Sequence, residues 1–148
     1  MTRASLLDVN VLVALFDAEH VHHEVAHDWF SDNRETGWST CPLTENGFVR
    51  IVADPSRRGE VMPIPDVVAI LRRFCASGHH EFWPDSVSLL DDELFDLTRV
   101  RGHKQITDVY LLGLAVTRRA RLVTFDSGVR LEAVKGAMRA HLEVLAPT

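Results

Sequence analysis

The chain reads as an α/β domain: a mostly parallel central sheet of about five short strands with helices on both faces. Two observations carry this reading. Apolar runs of strand length alternate with helix-period segments from one end of the sequence to the other. The 148 residues are 46% hydrophobic, enough for one buried core, and no Gly/Ser-rich or Pro-rich linker divides them. A single domain over residues 1–148 is expected.

The elements follow in order. Ser5-Leu6-Leu7 is a short apolar strand that stops at Asp8, and a helix-like run from Val9 to Phe16 follows at once. His22 to Phe30 has an amphipathic pattern, with Val25, Ala26, Trp29 and Phe30 inward. Gly37 breaks it. Trp38-Ser39-Thr40-Cys41 is a second strand, and Pro42 opens a helix through Glu45, Phe48, Val49 and Val52, since a missing N–H costs nothing at the first helical position. Asp54-Pro55 ends that helix, and residues 55 to 64 read as an exposed loop.

Asp66 to Ala76 is helical in pattern, with Val67, Ile70, Leu71 and Phe74 on one face. Glu81-Phe82-Trp83 is a weaker strand stopped by Pro84, and Leu89 to Val100 reads as a further helix. Thr107 or Asp108 opens a strongly apolar helix through Val116 that must be largely buried. Arg121 to Phe125 is a fourth strand ending at Asp126, and His141 to Leu145 is a fifth.

Bulk chemistry narrows the function. A net charge of −5 gives the chain as a whole no pull on a phosphate backbone, unless its acids gather around a cation that reverses the local field. Cys41 and Cys75 are far apart with no Cys-x-x-Cys pair, which argues against a zinc site or a disulfide scaffold and suits a reducing cytoplasm. The apolar run from Leu6 to Phe16 is interrupted by Asp8 and Asn10, so it does not read as a signal peptide. No segment is long and apolar enough to span a bilayer, and no membrane partner is expected.

In a parallel sheet of this kind ligands bind beyond the C-terminal strand ends, beside helix N-termini. Asp8 ends the first strand, Glu45 lies in the first turn after the second, Asp108 opens the buried helix, and Asp126 ends the fourth strand. Taken singly, each has a second account as a helix cap or a first-turn acid. That account is the stronger one for Asp108 alone and is balanced for the other three. Joint placement along one edge tips the balance toward a site. Clustered carboxylates must protonate or bind a cation, and Mg²⁺, a hard ion that prefers oxygen ligands, suits them. A water activated by such an ion is a nucleophile for phosphodiester hydrolysis.

Those residues resemble the PIN-domain ribonucleases, in particular the VapC toxins of bacterial toxin–antitoxin pairs, over essentially the whole chain. The resemblance rests on Leu6-Leu7-Asp8-Val9-Asn10, on Cys41-Pro42-Leu43-Thr44-Glu45-Asn46-Gly47, on Gly102-His103-Lys104-Gln105-Ile106-Thr107-Asp108, and on Thr124-Phe125-Asp126, in that order. It implies a PIN-like fold and a Mg²⁺-dependent endoribonuclease, with Mn²⁺ as a substitute. It also implies a toxin held by a cognate antitoxin, acting on RNA and forming a homodimer. Asp8, Glu45, Asp108 and Asp126 match the family's acidic positions with no departure. Asp8 and Asp108 are then expected as direct ligands, with Glu45 and Asp126 acting through water or a second ion. Asn10, Thr107 and Thr124 are candidates to orient ligands, with capping as an equal account.

Other features receive plainer readings. His20, His22, His23 and His27 are assigned to a solvated helix face, Asp91-Asp92-Glu93 to the first turns of an exposed helix, and Asp85 to a cap. His103 is as readily a loop residue as a phosphate contact. Arg50, Arg57, Arg58, Arg72, Arg73 and Lys104 are candidates for a basic rim, with Arg50 placed best. Trp29, Trp38 and Trp83 are assigned to packing rather than base stacking. Two competing functions remain in view. One is a catalytically weak PIN-like RNA-binding or regulatory module, which predicts missing acids. The other is a phosphoryl-transfer enzyme of the haloacid dehalogenase type, which wants a second Asp where Asn10 stands.

Overall fold

A computed structural model describes residues 3–57 and 61–146. Arg58 and Gly59, part of the expected loop and of the candidate basic rim, lie outside the described residues. Five strands form one sheet: β1 (Ser5–Leu7), β2 (Trp38–Thr40), β3 (His80–Phe82), β4 (Arg121–Thr124) and β5 (Leu142–Val144), in the order β3-β2-β1-β4-β5. Every neighbouring pair is parallel. The expected mostly parallel sheet is therefore parallel throughout.

Strand alternation builds two cores from β1 and β4. Leu6 and Leu122 point to one face, where they meet Leu111, Leu112 and Leu114 of helix α5 (Ile106–Thr117). Leu7 and Val123 point to the other, beneath α1 (Val9–Phe16), α2 (His23–Asn33), α3 (Pro42–Val52) and α4 (Ile64–Cys75). Leu6, Leu7 and Leu122 are completely buried. Full burial of a leucine side chain stabilises by about 1.5–3 kcal/mol, so the period-two pattern itself clamps the sheet between helical layers. Trp29, Trp38 and Trp83 are all buried, as the packing assignment requires.

Two helix boundaries show local sequence at work. Asp8 is the N-cap of α1, its Oδ1 accepting from the Val9 amide at 2.7 Å. Cys41 precedes Pro42 at the start of α3, where Thr44 Oγ1 accepts the Cys41 amide at 3.0 Å. Among the described residues no helix is long and apolar enough to cross a membrane.

The expected helix over Leu89–Val100 does not form. That stretch is turns with one 3₁₀ segment at Leu97–Arg99, and no helix starts at Asp85 for it to cap. The acids responsible bond locally instead: Asp91 Oδ1 accepts the Glu93 amide at 3.0 Å, and Asp96 Oδ1 the Thr98 amide at 3.2 Å. Such side-chain bonds compete with helix propagation. Phe95 is meanwhile pulled into the core, bridging to Val134 and lying against Gly113 of α5.

Candidate active site

The strand order places the reversal of direction between β1 and β4. The first two crossovers add β2 and β3 on one side, and the chain then returns to build β4 and β5 on the other. Beyond the carboxyl ends of strands at such a switch point lies a crevice. Here Asp8 follows β1 and Asp126 lies just past β4, with Leu7 and Val123 in register. The first turn of α5 brings Asp108 to the same place. Asp8, Asp108 and Asp126 line one open depression of about 450 Å³, with Val9, Asn10, Val13, Ile51, His20 and Arg57.

Thr124 organises this centre. Its hydroxyl donates to Asp8 Oδ2 at 2.7 Å and accepts the Asp126 amide at 3.0 Å and the Asn10 side-chain amide at 3.3 Å. Asn10 Oδ1 accepts the Phe125 amide at 3.3 Å, so the start of α1 is laced to the end of β4. Asp126 Oδ1 accepts the Gly128 amide at 2.7 Å. Asp8 is thus buried with both oxygens engaged, while Asp126 stands at the rim.

The electrostatics follow from crowding. Burial raises the Asp8 carboxyl, opposed by the Thr124 and Val9 hydrogen bonds. Asp108 is pushed up to about 8, first by burial, then by its hydrogen bond with Asp126 and the negative charges of Asp8 and Asp126. Asp126 is lowered by the bond from Asp108. Asp108 is therefore the acid of the three that most favours its protonated form. Three oxygen-bearing acids in that condition fit a hard divalent cation, whose charge would release the Asp108 proton.

Glu45 takes another position. It lies in the first turn of α3, but Thr40 Oγ1 donates to its Oε2 at 2.7 Å, and it lines a neighbouring depression with Val68, Leu71, Arg72, Cys75 and His80. The structure brings three of the four acids into one depression and sets Glu45 beside it. Asn10 and Thr124 are at the centre as read from the sequence. Thr107 is exposed on the first turn of α5 and does not line the depression, and Arg50 is exposed on the last turn of α3.

A comparison of this chain with protein families decides its kinship: the PIN domain family matches residues 5–136. The chain belongs to the PIN domain family. This PIN domain is 45% identical over 141 residues to Ribonuclease VapC44 of Mycobacterium tuberculosis strain H37Rv, covering 95% of this chain and 99% of that protein. It is 47% identical over 125 residues to Ribonuclease VapC38 of the same strain, covering 84% and 86%. To Ribonuclease VapC29 it is 41% identical over 144 residues, covering 97% and 96%.

Sequence reasoning missed His20 as a lining residue of this PIN domain and named Arg57 only among the candidates for a basic rim. His20 was assigned to a helix face, but α2 starts only at His23 and His20 lies in the turn that faces the acids. Burial, with His22 and Arg57 nearby, lowers its imidazole and so favours the neutral form. The rest of the cluster is also tied down in part: His22 stacks on Phe125 at 4.7 Å, and His23 Nδ1 meets the Ala14 carbonyl at 2.7 Å. Arg57 reaches the depression through a 2.7 Å ion pair with Asp17. No local motif marks either role, because both arise from how the α1–α2 turn and the tail of α3 fold over the sheet edge. Gln105 does not line the depression but supports it: its side chain accepts the Arg101 amide at 2.9 Å and donates to the Gly128 carbonyl at 3.4 Å, joining the start of α5 to the Asp126 turn.

Proposed function

We propose that this PIN domain is a Mg²⁺-dependent endoribonuclease, the toxin of a toxin–antitoxin pair, with Mn²⁺ able to replace Mg²⁺. The observation that supports it best is the convergence of Asp8, Asp108 and Asp126 at the β1/β4 switch point, where burial and the two neighbouring acids push Asp108 up to about 8. The relatives named as VapC ribonucleases point the same way.

Asp8 and Asp108 would hold the ion directly, Asp126 would complete its surroundings, and Glu45 would act from the adjoining depression through water or a second ion. The chemistry such a cation supplies when bound is activation of water for attack on phosphorus and stabilisation of charge on the leaving oxygen. The chain's own residues do the positioning. Thr124 and the Val9 amide fix the Asp8 carboxylate, and Asn10 locks α1 against β4. Arg57 and His20 sit at the rim, where a cation and a neutral donor can grip the backbone of a single strand. A cognate antitoxin, homodimer formation and a cytoplasmic location belong to the same proposal.

The test incubates the purified full-length chain with RNA in Mg²⁺, Mn²⁺ or EDTA, beside Asp8→Asn and Asp108→Asn. Cleavage by the wild type alone, and only with a cation, is expected. Cleavage that persists in EDTA or in both variants sinks the metal-dependent reading. RNA binding without cleavage under every condition supports a regulatory PIN module instead.

A further inference from the structure

We propose that Glu45, Cys75 and His80 form a second metal site, selective for a borderline-soft divalent ion such as Zn²⁺. A carboxylate oxygen of Glu45, the Cys75 sulfur and a ring nitrogen of His80 all lie within 4.8 Å of one another, and all three residues are half-buried. They come from three elements: the first turn of α3, the last residue of α4 and the first residue of β3. Tetrahedral Zn²⁺, with bonds of about 2.0–2.3 Å, places its ligand atoms roughly 3.4–3.6 Å apart, within reach of small side-chain rotations.

The surroundings are those of a built site. Thr40, completely buried, donates its hydroxyl proton to Glu45 Oε2 at 2.7 Å, so its oxygen is left to accept from His80 Nε2–H, also at 2.7 Å. One outer hydroxyl thereby contacts two of the three candidate ligands. The three face a depression of about 260 Å³, which gives an ion an entry path and leaves the fourth position to solvent. One thiolate and one carboxylate neutralise the charge of a divalent ion, with neutral His80 as the third ligand.

Donor chemistry separates the two centres. Thiolate and imidazole select Zn²⁺ over Mg²⁺, whereas the Asp8–Asp108–Asp126 depression offers carboxylate oxygens alone. Binding is not redox: the Cys75 thiol gives its proton to solvent and the sulfur lone pair goes to the metal. In the proposed function Glu45 also serves the acidic centre through water or a second ion, so Zn²⁺ would claim a carboxylate that the centre uses. Zn²⁺ is then an inhibitor of Mg²⁺-supported cleavage, a consequence that rests on the ribonuclease reading, whereas the binding itself does not.

The test uses the untagged, reduced full-length protein. Co²⁺ is added as a spectroscopic stand-in, and Cys75 alkylation is followed by mass spectrometry with and without Zn²⁺. A near-ultraviolet thiolate-to-Co²⁺ band that Zn²⁺ bleaches is expected, with Cys75 protected by Zn²⁺ and not by Mg²⁺. Zn²⁺ affinity should fall by roughly tenfold or more in Cys75→Ser and His80→Gln, and stay unchanged in Cys41→Ala. Equal alkylation of wild-type Cys75 with and without Zn²⁺, or a thiolate band that survives in Cys75→Ser, overturns the site. If Mg²⁺-supported cleavage is absent altogether, the ribonuclease reading fails and the binding result stands. If cleavage is present and Zn²⁺ inhibits wild type and Cys75→Ser alike, the inhibitory role of this site is overturned.

Discussion

The hydroxyl of Thr124 donates to Asp8 Oδ2 at 2.7 Å, tying the end of β4 to the end of β1 across 116 residues of sequence. The same oxygen accepts from the Asp126 amide and from Asn10, so one buried hydroxyl sets the distance between two acids of the centre. Thr124→Val keeps the shape and removes that node. A lost hydrogen bond to a charged group costs about 1.5–3 kcal/mol, and outer partners of metal ligands contribute about 10–100-fold in affinity or activity. Thr124→Val is expected to need more Mg²⁺ for half-maximal cleavage, by about 10–100-fold, and to melt about 3–12 °C lower, with Thr124→Ser recovering most of both losses. Metal titrations of cleavage rate check this.

Asp108 predicts how metal-free stability depends on pH. Its folded-state pKa is raised from 3.8 to about 8, chiefly by burial. A raised carboxyl favours the folded state fully only below its unfolded value, and that contribution is lost as pH rises through the folded one. In EDTA the melting temperature should therefore fall between about pH 4 and about pH 8. Mg²⁺ should flatten the fall, and Asp108→Asn should remove most of it. Calorimetry across that range, with and without Mg²⁺, is the measurement.

Gly113 predicts a packing defect. A Cβ on this residue of α5 would fall inside the Phe95 ring, and Phe95 is itself buried. Alanine would ordinarily favour the helix by about 1 kcal/mol over glycine. Overpacking costs about 1–3 kcal/mol, and a ring with nowhere to go places this site at the upper end. Gly113→Ala should lower the melting temperature by about 2–8 °C, and adding Phe95→Leu should recover part of it.

Arg57 predicts a binding defect rather than a chemical one. It is held by Asp17 at 2.7 Å and lines the depression with the three acids. Arg57→Ala should raise KM for RNA more than it lowers kcat. It should also make the salt dependence of binding shallower by about 0.7 in log–log slope, the value for one phosphate contact on a single strand. Filter binding at several salt concentrations tests it.

Periodicity made most of the fold legible. Leu6 and Leu7 on opposite faces, the apolar run of α5 and the Asp8 cap are local properties, and the strands and all five α-helices among the described residues lie close to where those patterns put them. The error over Leu89–Val100 has a local cause and a distant one. Asp91 and Asp96 bend the chain back on its own amides, and Phe95 is drawn away by Gly113 and Val134, which no window of sequence around it contains.

The sequence by itself determined that acids stand at the ends of strands, since each of Asp8 and Asp126 closes an apolar run and Asp108 opens another. Only the tertiary structure decided which of them meet. Strand order β3-β2-β1-β4-β5 makes β1 and β4 neighbours, so Asp8, Asp108 and Asp126 converge, while Glu45 is turned by Thr40 toward Cys75 and His80. Spacing argued against a thiol-bearing metal site because ligand motifs are local. Glu45, Cys75 and His80 are adjacent only because α3, α4 and β3 pack together, and packing, not spacing, sets the distance between side chains.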